Sequence, residues 1–163
     1  MPARHHKGRG AVSDREGRFA ARPVEFDAGE AYERSLRAPD TQLRAMRSRR
    51  IIATNASPDV PFDRSINPYQ GCEHGCVYCY ARPTHAWLGL SPGLDFETRL
   101  FHKPDAAEQL ARELAAPGYR PATLVLGANT DPYQPIERNL GITRQVLEVL
   151  ARCAHPVAIT TKS

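Results

Sequence analysis

The chain has 163 residues, of which 41% are hydrophobic and 25% are charged, and it carries a net charge of +4 and four cysteines. That length is sufficient for one domain with its own core, and no apolar run approaches the length of a membrane span. The chain also begins without a secretory signal, so we expect a cytoplasmic protein with no membrane partner, in a reducing compartment where clustered cysteines more often bind metal than form disulfides.

Residues 1–60 are predicted to be a poorly ordered, largely irregular N-terminal extension. Glycine, proline and charged residues dominate there, and few apolar residues recur with a helical or strand period. Residues 40–47 favour one or two helical turns at most. A basic cluster in the same region comprises Arg44, Arg47, Arg49 and Arg50. A solvated surface is the ordinary explanation of such a cluster, and contact with nucleic acid is the alternative.

From residue 61 onward the sequence alternates between strand and helix patterns. Ser65–Tyr69 is typical of a short strand. Pro104–Leu114 begins with proline and carries an apolar stripe, which predicts a helix. Thr123–Leu126 is a continuous apolar run of the kind found in buried parallel strands.

A second helix and a third strand complete the predicted elements. The helix runs from Thr143, a suitable N-cap residue, to Cys153, and a buried strand follows over Val157–Thr161. Strands that alternate with helices predict a parallel sheet. Because a closed barrel needs more strands than this, we expect an α/β fold in which residues 61–163 form an incomplete barrel, truncated after its third strand.

Three cysteines lie close together in the sequence. Cys72, Cys76 and Cys79 have the spacing C-x3-C-x2-C, and no fourth cysteine lies nearby. Three thiolates can hold three irons of a four-iron cluster and leave the fourth iron open to bind a small molecule. A non-catalytic iron–sulfur module is one alternative, and a zinc site with His74 or His85 as fourth ligand is another.

Polar segments follow the second and third predicted strands. Thr130 and Asp131 come after the second strand, and Lys162 comes after the third. Because parallel strands end at the same edge of a sheet, we expect these residues and the cysteine loop to build the active site. The alternative for Asp131, which precedes a proline, is an ordinary turn, and the alternative for Lys162 is a solvated terminal position.

The wider pattern is similar to that of a known superfamily. Cys-x3-Cys-x-Tyr-Cys-Tyr over residues 72–80, Thr-Asp at 130–131 and Thr-Lys at 161–162 resemble the radical S-adenosylmethionine (SAM) proteins, and among them the spore-photoproduct-lyase-like branch. The resemblance covers roughly residues 60–163. It implies a partial TIM-like (β/α) barrel of the radical SAM type and a lyase-like, metal-binding protein with a [4Fe–4S] cluster.

The resemblance also implies roles for individual residues. The three cysteines would ligate the cluster, whose open iron binds SAM and, on reduction, generates a 5′-deoxyadenosyl radical that takes hydrogen from a substrate. Tyr78 is similar to the aromatic residue that contacts the adenine. Thr130 and Asp131 would hold the methionyl ammonium or the ribose hydroxyls, and Lys162 would pair with the methionyl carboxylate. A reducing electron donor and an unknown substrate are the implied partners.

One departure from the family pattern limits the functional prediction. The DNA-repair lyase of this branch has a hydrogen-donating cysteine in the segment after strand two, whereas this chain has Gly127–Asp131 without a cysteine. Repair of a thymine photoproduct is therefore not implied, and the substrate stays unknown, with a nucleic-acid-related substrate as one open alternative. An inactive fragment of a radical SAM enzyme is a further alternative.

Overall fold

A computed structural model describes residues 10, 11 and 40–163. The prediction of an irregular extension falls mostly on residues 1–9 and 12–39, which lie outside the described residues. The described part of the extension includes two short strands.

The described residues contain short strands and helices joined by loops of very different lengths. The strands are β1 (Gln42–Ala45), β2 (Ile52–Thr54), β3 (Arg64–Ile66), β4 (Tyr69–Gln70), β5 (Arg99–His102), β6 (Leu124–Leu126) and β7 (Val157–Ile159). The helices are α1 (Leu94–Thr98), α2 (Ala106–Leu114), α3 (Glu137–Leu140) and α4 (Ile142–Arg152), with a 3-10 helix over Arg82–Leu88. No helix in this part of the chain combines the length and the apolar content that a membrane crossing requires.

The chain divides into two compact units. The first unit contains the described residues of 1–43 together with 71–100, and the second unit contains 44–70 and 101–163. The cysteine loop belongs to the first unit. The segments after β6 and β7 belong to the second.

The larger sheet lies in the second unit and has the strand order β2-β3-β6-β7. β3 is parallel to β6, with Ile66 opposite Leu126, and β6 is parallel to β7, with Leu126 opposite Ile159. The predicted parallel arrangement of these three strands is thus confirmed. β2 pairs antiparallel with β3, and the sequence did not indicate this strand. The partial TIM-like barrel stays a prediction.

The smaller sheet has the order β1-β5-β4, and β4 pairs antiparallel with β5. Within it the prediction for residues 40–47 is wrong, because Gln42–Ala45 forms a strand rather than a helical turn. The next residue, Met46, donates its amide to the carbonyl of His102 at 2.8 Å. Pairing with β5 gives this backbone the partners that an isolated helical turn would lack.

The core of the second unit lies where helices α2 and α4 pack against each other and cover the larger sheet. Its members are Ile51, Ile66, Tyr69, Ala106, Leu110, Leu124, Leu126, Ile142, Val146, Val149 and Leu150. Both helices present an apolar stripe at helical spacing, as the sequence predicts, and each fully buried leucine contributes about 2 kcal/mol.

Two predictions within this unit are wrong in detail. β7 is predicted to be buried, but Val157 is 37% and Ile159 is 40% exposed, and the strand lies at the edge of the sheet, where it pairs with β6. Thr143 is predicted to be an N-cap, but Gly141 holds that position. Thr143 lies inside the helix, where its hydroxyl donates to the carbonyl of Pro132 at 2.7 Å.

The start of α4 is capped by a side chain from outside the helix. The Glu137 carboxylate accepts the amides of Thr143 at 2.9 Å and Arg144 at 3.1 Å, and it accepts the hydroxyl of buried Tyr69. Burial, and secondly the neighbouring Glu137 carboxylate, raises the pKa of Tyr69 far above its ordinary value, so the hydroxyl remains a donor. A carboxylate near the first turn also complements the helix dipole.

Glu137→Ala should therefore lower the free energy of unfolding by about 2 kcal/mol, because two helix amides and a buried hydroxyl lose their acceptor. The change is measured from urea unfolding. The matched control is Glu108→Ala, which removes an exposed carboxylate 3.9 Å from Arg112 and should cost less than about 0.5 kcal/mol. Equal costs for the two variants would contradict the capping role.

Candidate metal centre

The three cysteines lie in one loop of the first unit, between Gly71 and the 3-10 helix. Cys72 is buried, whereas Cys76 and Cys79 are partly exposed, and all three are free of disulfide bonds. The amide of Cys79 donates to the carbonyl of Cys76 at 3.2 Å, which folds the second half of the loop into a turn. The turn brings the last two cysteines of the motif to the accessible side of the loop.

Gly71 sets the entry to the cysteine loop. Its φ of +80° is in the left-handed region, where glycine is strongly favoured. A Cβ at this position would lie 2.6 Å from Cδ2 of Leu100 and 2.8 Å from the carbonyl oxygen of Phe96. Both the backbone conformation and the space therefore require glycine immediately before Cys72.

The first cysteine of the motif is packed into the small core of the first unit. Cys72 contacts Ala81 and Phe96, and the partly buried Cys79 packs against the same cluster. The Cys72 amide donates to the carbonyl of Phe96 at 2.9 Å, which ties this end of the loop to α1. Phe96 thus fixes both the backbone and the surroundings of Cys72.

Arg82 anchors the second cysteine of the motif through its backbone. Nε of Arg82 donates to the carbonyl of Cys76 at 3.0 Å, and one terminal nitrogen donates to the carbonyls of Pro92 at 3.2 Å and Gly93 at 3.1 Å. Its guanidinium carbon also lies 5.4 Å from the centre of the Phe96 ring. One arginine therefore connects the cysteine loop to the segment that leads into α1.

Large apolar side chains are exposed in the loop and in the 3-10 helix that follows it. Val77 is 69%, Tyr78 is 79%, Tyr80 is 71% and Trp87 is 83% exposed. Single exposed apolar residues are common on protein surfaces, but four within eleven positions of the chain are unusual. Val77, Tyr78 and Tyr80 adjoin Cys76 and Cys79 along the chain, so the partly exposed thiols have exposed apolar neighbours.

His85 packs beneath the cysteine loop and is fully buried. Its ring meets Phe96 edge-on at 5.2 Å between centroids, and its Nε2–H donates to the carbonyl of Arg99 at 2.9 Å. Burial lowers the pKa of His85, and the Arg99 carbonyl and the Asp95 carboxylate oppose this effect in part. The neutral imidazole is therefore the form that fits the folded first unit.

Because the pKa of His85 is lower in the folded protein than in the unfolded chain, protonation favours unfolding. Its stabilising contribution is present above the ordinary histidine pKa of about 6.5, and it is lost as the pH falls below that value. We expect the unfolding free energy of the metal-free protein to fall with decreasing pH there by up to about 1.4 kcal/mol per unit. His85→Gln should flatten this dependence in urea titrations, and an unchanged slope would contradict the assignment.

In the second unit, Asp131 joins the segments that follow β6 and β7. Its carboxylate accepts the amide of Lys162 at 2.7 Å, the hydroxyl of Thr161 at 2.8 Å and the amide of Tyr133 at 2.8 Å. The hydroxyl of buried Thr130 accepts the side-chain amide of Gln134 at 3.0 Å. The structure thus brings Asp131 and the Lys162 backbone into contact, as expected for strand ends that share one edge of a sheet.

The segment after β3 reaches the same edge. The Asn67 side chain accepts the amide of Asn129 at 2.8 Å, and the amide of Gly127 donates to the carbonyl of Ile66 at 3.0 Å. The loops after three parallel strands are therefore cross-linked by side-chain and backbone hydrogen bonds. The sequence did not single out Asn67, because the predicted strand Ser65–Tyr69 included it, whereas β3 ends at Ile66 in the structure.

The predicted site residues divide between the two units. Cys72, Cys76, Cys79 and Tyr78 belong to the first unit, and Thr130, Asp131 and Lys162 belong to the second. The arginines at 44, 47, 49 and 50 are all exposed. Arg82 and Phe96 organise the cysteine loop but have no spacing or motif that identifies them in the sequence, and His85, named there as an alternative zinc ligand, packs beneath the loop instead.

The chemistry of the donor set fits an iron–sulfur cluster. Three cysteines without disulfide bonds lie within eight residues, two of them partly exposed, and thiolates are the ligands that such clusters use. Within residues 10–11 and 40–163, no three His, Cys, Asp or Glu side chains are grouped so that they could hold a single metal ion. A cluster does not require the three cysteines to converge on one metal ion, because each cysteine binds a different iron.

Comparison with known proteins gives sequence relatives without an assigned activity. No family model matches the chain, and no solved structure matches it. Uncharacterized proteins of Mycobacterium bovis and Mycobacterium tuberculosis are 39% identical over 135 residues, which cover 79% of this chain and 39% of each relative. An uncharacterized protein of Methanocaldococcus jannaschii is 29% identical over 98 residues, which cover 60% of this chain and 34% of that protein. The chain thus spans well under half the length of the curated relatives it matches.

Proposed function

We propose that this protein is a radical SAM protein that binds a [4Fe–4S] cluster and SAM in the reducing cytoplasm. The observation that carries the proposal is the loop in which Cys72, Cys76 and Cys79, spaced C-x3-C-x2-C, form no disulfide bonds. When bound, a reduced cluster with one open iron supplies the electron that converts SAM to methionine and a 5′-deoxyadenosyl radical.

The loop has the properties that cluster ligation requires. Its thiols deprotonate to bind iron, and the partly exposed Cys76 and Cys79 are accessible for loading. Cys72, the remaining ligand, clusters with Phe96 and Ala81, so its thiol lies in apolar surroundings. Apolar surroundings of this kind limit the access of water to an iron–sulfur site and thereby influence its reduction potential.

Tyr78 is proposed to contact the adenine of SAM. It lies between two cysteine ligands and its side chain is 79% exposed, so its ring is available for stacking with a planar base. An aromatic ring on the accessible side of the loop would orient the nucleoside of SAM, whose methionyl group would bind at the cluster.

Thr130, Asp131 and Lys162 are proposed to contribute polar contacts to SAM. Lys162 is exposed, and its ammonium group carries the charge that a methionyl carboxylate would pair with. The carboxylate oxygens of Asp131 accept three hydrogen bonds from within the second unit. These bonds hold the segments after β6 and β7 together. Through the backbone of Lys162, Asp131 would also position that lysine.

The proposal is tested by the cleavage of SAM. Protein reconstituted anaerobically with iron and sulfide is reduced with dithionite in the presence of SAM, and the products are separated by chromatography. We expect 5′-deoxyadenosine and methionine to form in equal amounts. Protein that holds a full complement of iron, yet leaves SAM intact under reduction, would contradict the enzyme and support a non-catalytic iron–sulfur module.

A second candidate function, binding to a polyanion, is supported by a cleft in the second unit. Its volume is about 550 Å³, and its lining includes Arg50, Arg64, Arg120 and Tyr119. The guanidinium carbon of Arg64 lies 5.7 Å from the centre of the Tyr119 ring. Arginine beside an aromatic ring is suited to phosphates and bases of single-stranded nucleic acid. Salt-dependent binding of an oligonucleotide that survives replacement of all three loop cysteines would favour this function over the first.

A further inference from the structure

A fully buried carboxylate lies behind the cysteine loop. Glu97 of α1 is 0% exposed, and it accepts the backbone amides of Gly10 at 3.1 Å and Ala11 at 2.9 Å. It also forms an ion pair and hydrogen bond with the guanidinium of Arg82. A charge is retained in such an environment when its partners are close and its oxygens are hydrogen-bonded, and Glu97 meets both conditions.

This carboxylate is connected to the cysteine motif through Arg82. The same guanidinium that pairs with Glu97 donates to the carbonyl of Cys76. The planar arginine side chain has five N–H donors in a fixed geometry and can hold several acceptors at once, which a lysine ammonium on a flexible stem does less well. A substitution of Glu97 should therefore shift Arg82, and through Arg82 the backbone of Cys76.

Residues 10–11, whose amides donate to Glu97, also contact the cysteine loop. A Cβ at Gly10 would lie 1.6 Å from the carbonyl oxygen of Gly75 and 3.1 Å from Cγ1 of Val77. Glycine is therefore required if the backbone at position 10 is to lie this close to the residue before Cys76. Glu97 holds the segment there by its two amide contacts.

We propose that Glu97 and Arg82 are positioning residues for the cluster, and that Gly10 and Ala11 complete the same device. We call these four residues the Glu97 clamp. In the clamp, Arg82 hydrogen-bonds the carbonyl of Cys76 and the backbone of Gly10 packs against the carbonyl of Gly75, so together they fix the backbone from which the Cys76 thiolate projects. The inference rests on the proposed cluster-binding function and extends it to the segment at residues 10–11.

The clamp is tested in the full chain by two conservative variants. Glu97→Gln keeps the size of the side chain but replaces one acceptor oxygen by an amide nitrogen. That nitrogen cannot accept a hydrogen bond from Gly10, Ala11 or Arg82. Arg82→Lys keeps the positive charge next to Glu97 but loses the set of carbonyl contacts. After anaerobic reconstitution, iron loss to a chelator is timed in each, and the electron paramagnetic resonance (EPR) spectrum of the reduced protein is recorded.

We expect both variants to lose iron about tenfold faster than the wild type, with altered EPR g values, as is typical when a residue supporting a metal ligand is changed. Gly10→Ala should have the same effect because its Cβ cannot fit against Gly75. The matched control is Glu113→Gln. Glu113 likewise accepts two backbone amides, those of Ile51 at 2.6 Å and Ile52 at 3.1 Å, but it does so in the second unit. The control should hold iron like the wild type even if its melting temperature falls.

Two outcomes would overturn the inference. In one, Glu97→Gln and Arg82→Lys retain iron at the wild-type rate with unchanged spectra. In the other, iron loss follows the fall in melting temperature equally in the control, which reduces the clamp to a general stabilising contact. If Glu97→Gln does not fold, Arg82→Lys and Gly10→Ala decide between these outcomes. If the wild-type chain takes up no iron, both the proposed function and this inference are wrong. Iron uptake by the wild type is therefore measured before any variant is compared.

Discussion

Replacement of Cys72, Cys76 or Cys79 by alanine should reduce bound iron to below about a tenth of the wild-type amount, because loss of a ligand costs at least as much affinity as loss of a residue that supports one. Each variant should also lose the cleavage of SAM. Iron is measured by a colorimetric assay after anaerobic reconstitution and desalting. Cys72→Ala should additionally destabilise the first unit, because that side chain is buried against Phe96.

The matched control is Cys153→Ala. Cys153 is the exposed fourth cysteine and lies at the end of α4 in the second unit. We expect this variant to bind as much iron as the wild type. Equal iron loss in all four variants would indicate adventitious binding to accessible thiols and would contradict a site built by the loop.

Asp131→Ala should lower the free energy of unfolding by about 3 kcal/mol, because three hydrogen bonds to a largely buried carboxylate are lost together. These bonds join the segments after β6 and β7, so the edge of the sheet that carries Lys162 should loosen. Unfolding in urea, followed by far-ultraviolet circular dichroism, measures the cost. Asp131→Asn should cost less, because it keeps one acceptor oxygen.

Asp63→Ala is the control for Asp131, since Asp63 is an exposed carboxylate 3.7 Å from Arg64 in a weak surface ion pair. We expect its unfolding free energy to stay within about 0.5 kcal/mol of the wild type. If Asp131→Ala unfolds like Asp63→Ala while its affinity for SAM falls, the residue acts as a cofactor ligand without the structural task that its contacts indicate.

The parallel strands and the two longer helices were predictable from the sequence because their signals are local. Leu124–Leu126 is a continuous apolar run, and both α2 and α4 carry apolar residues at helical spacing. β1 and β2 were not predicted, because they are only four and three residues long and depend on pairing with β5 and β3. The exposure of β7 was not predictable either, because an apolar run does not encode whether other elements cover the strand.

The cysteine ligands were predictable because their spacing is itself the signal, whereas the residues that support them were not. Arg82 and Glu97 are 15 positions apart, and Gly10 is 87 positions from Glu97. Nothing in the sequence around any of these residues marks it as a partner of the others. Their contacts arise from the path of the chain through the first unit, and such contacts are visible once the fold is known.

The most direct test of the central claim, that three cysteines hold a cluster with one open iron, is the EPR spectrum of the reduced protein with and without SAM. The account predicts about four irons per chain and a [4Fe–4S] signal whose g values shift when SAM is added, because SAM binds the open iron. Protein that contains zinc in place of iron, or a cluster signal that SAM leaves unchanged, would contradict it.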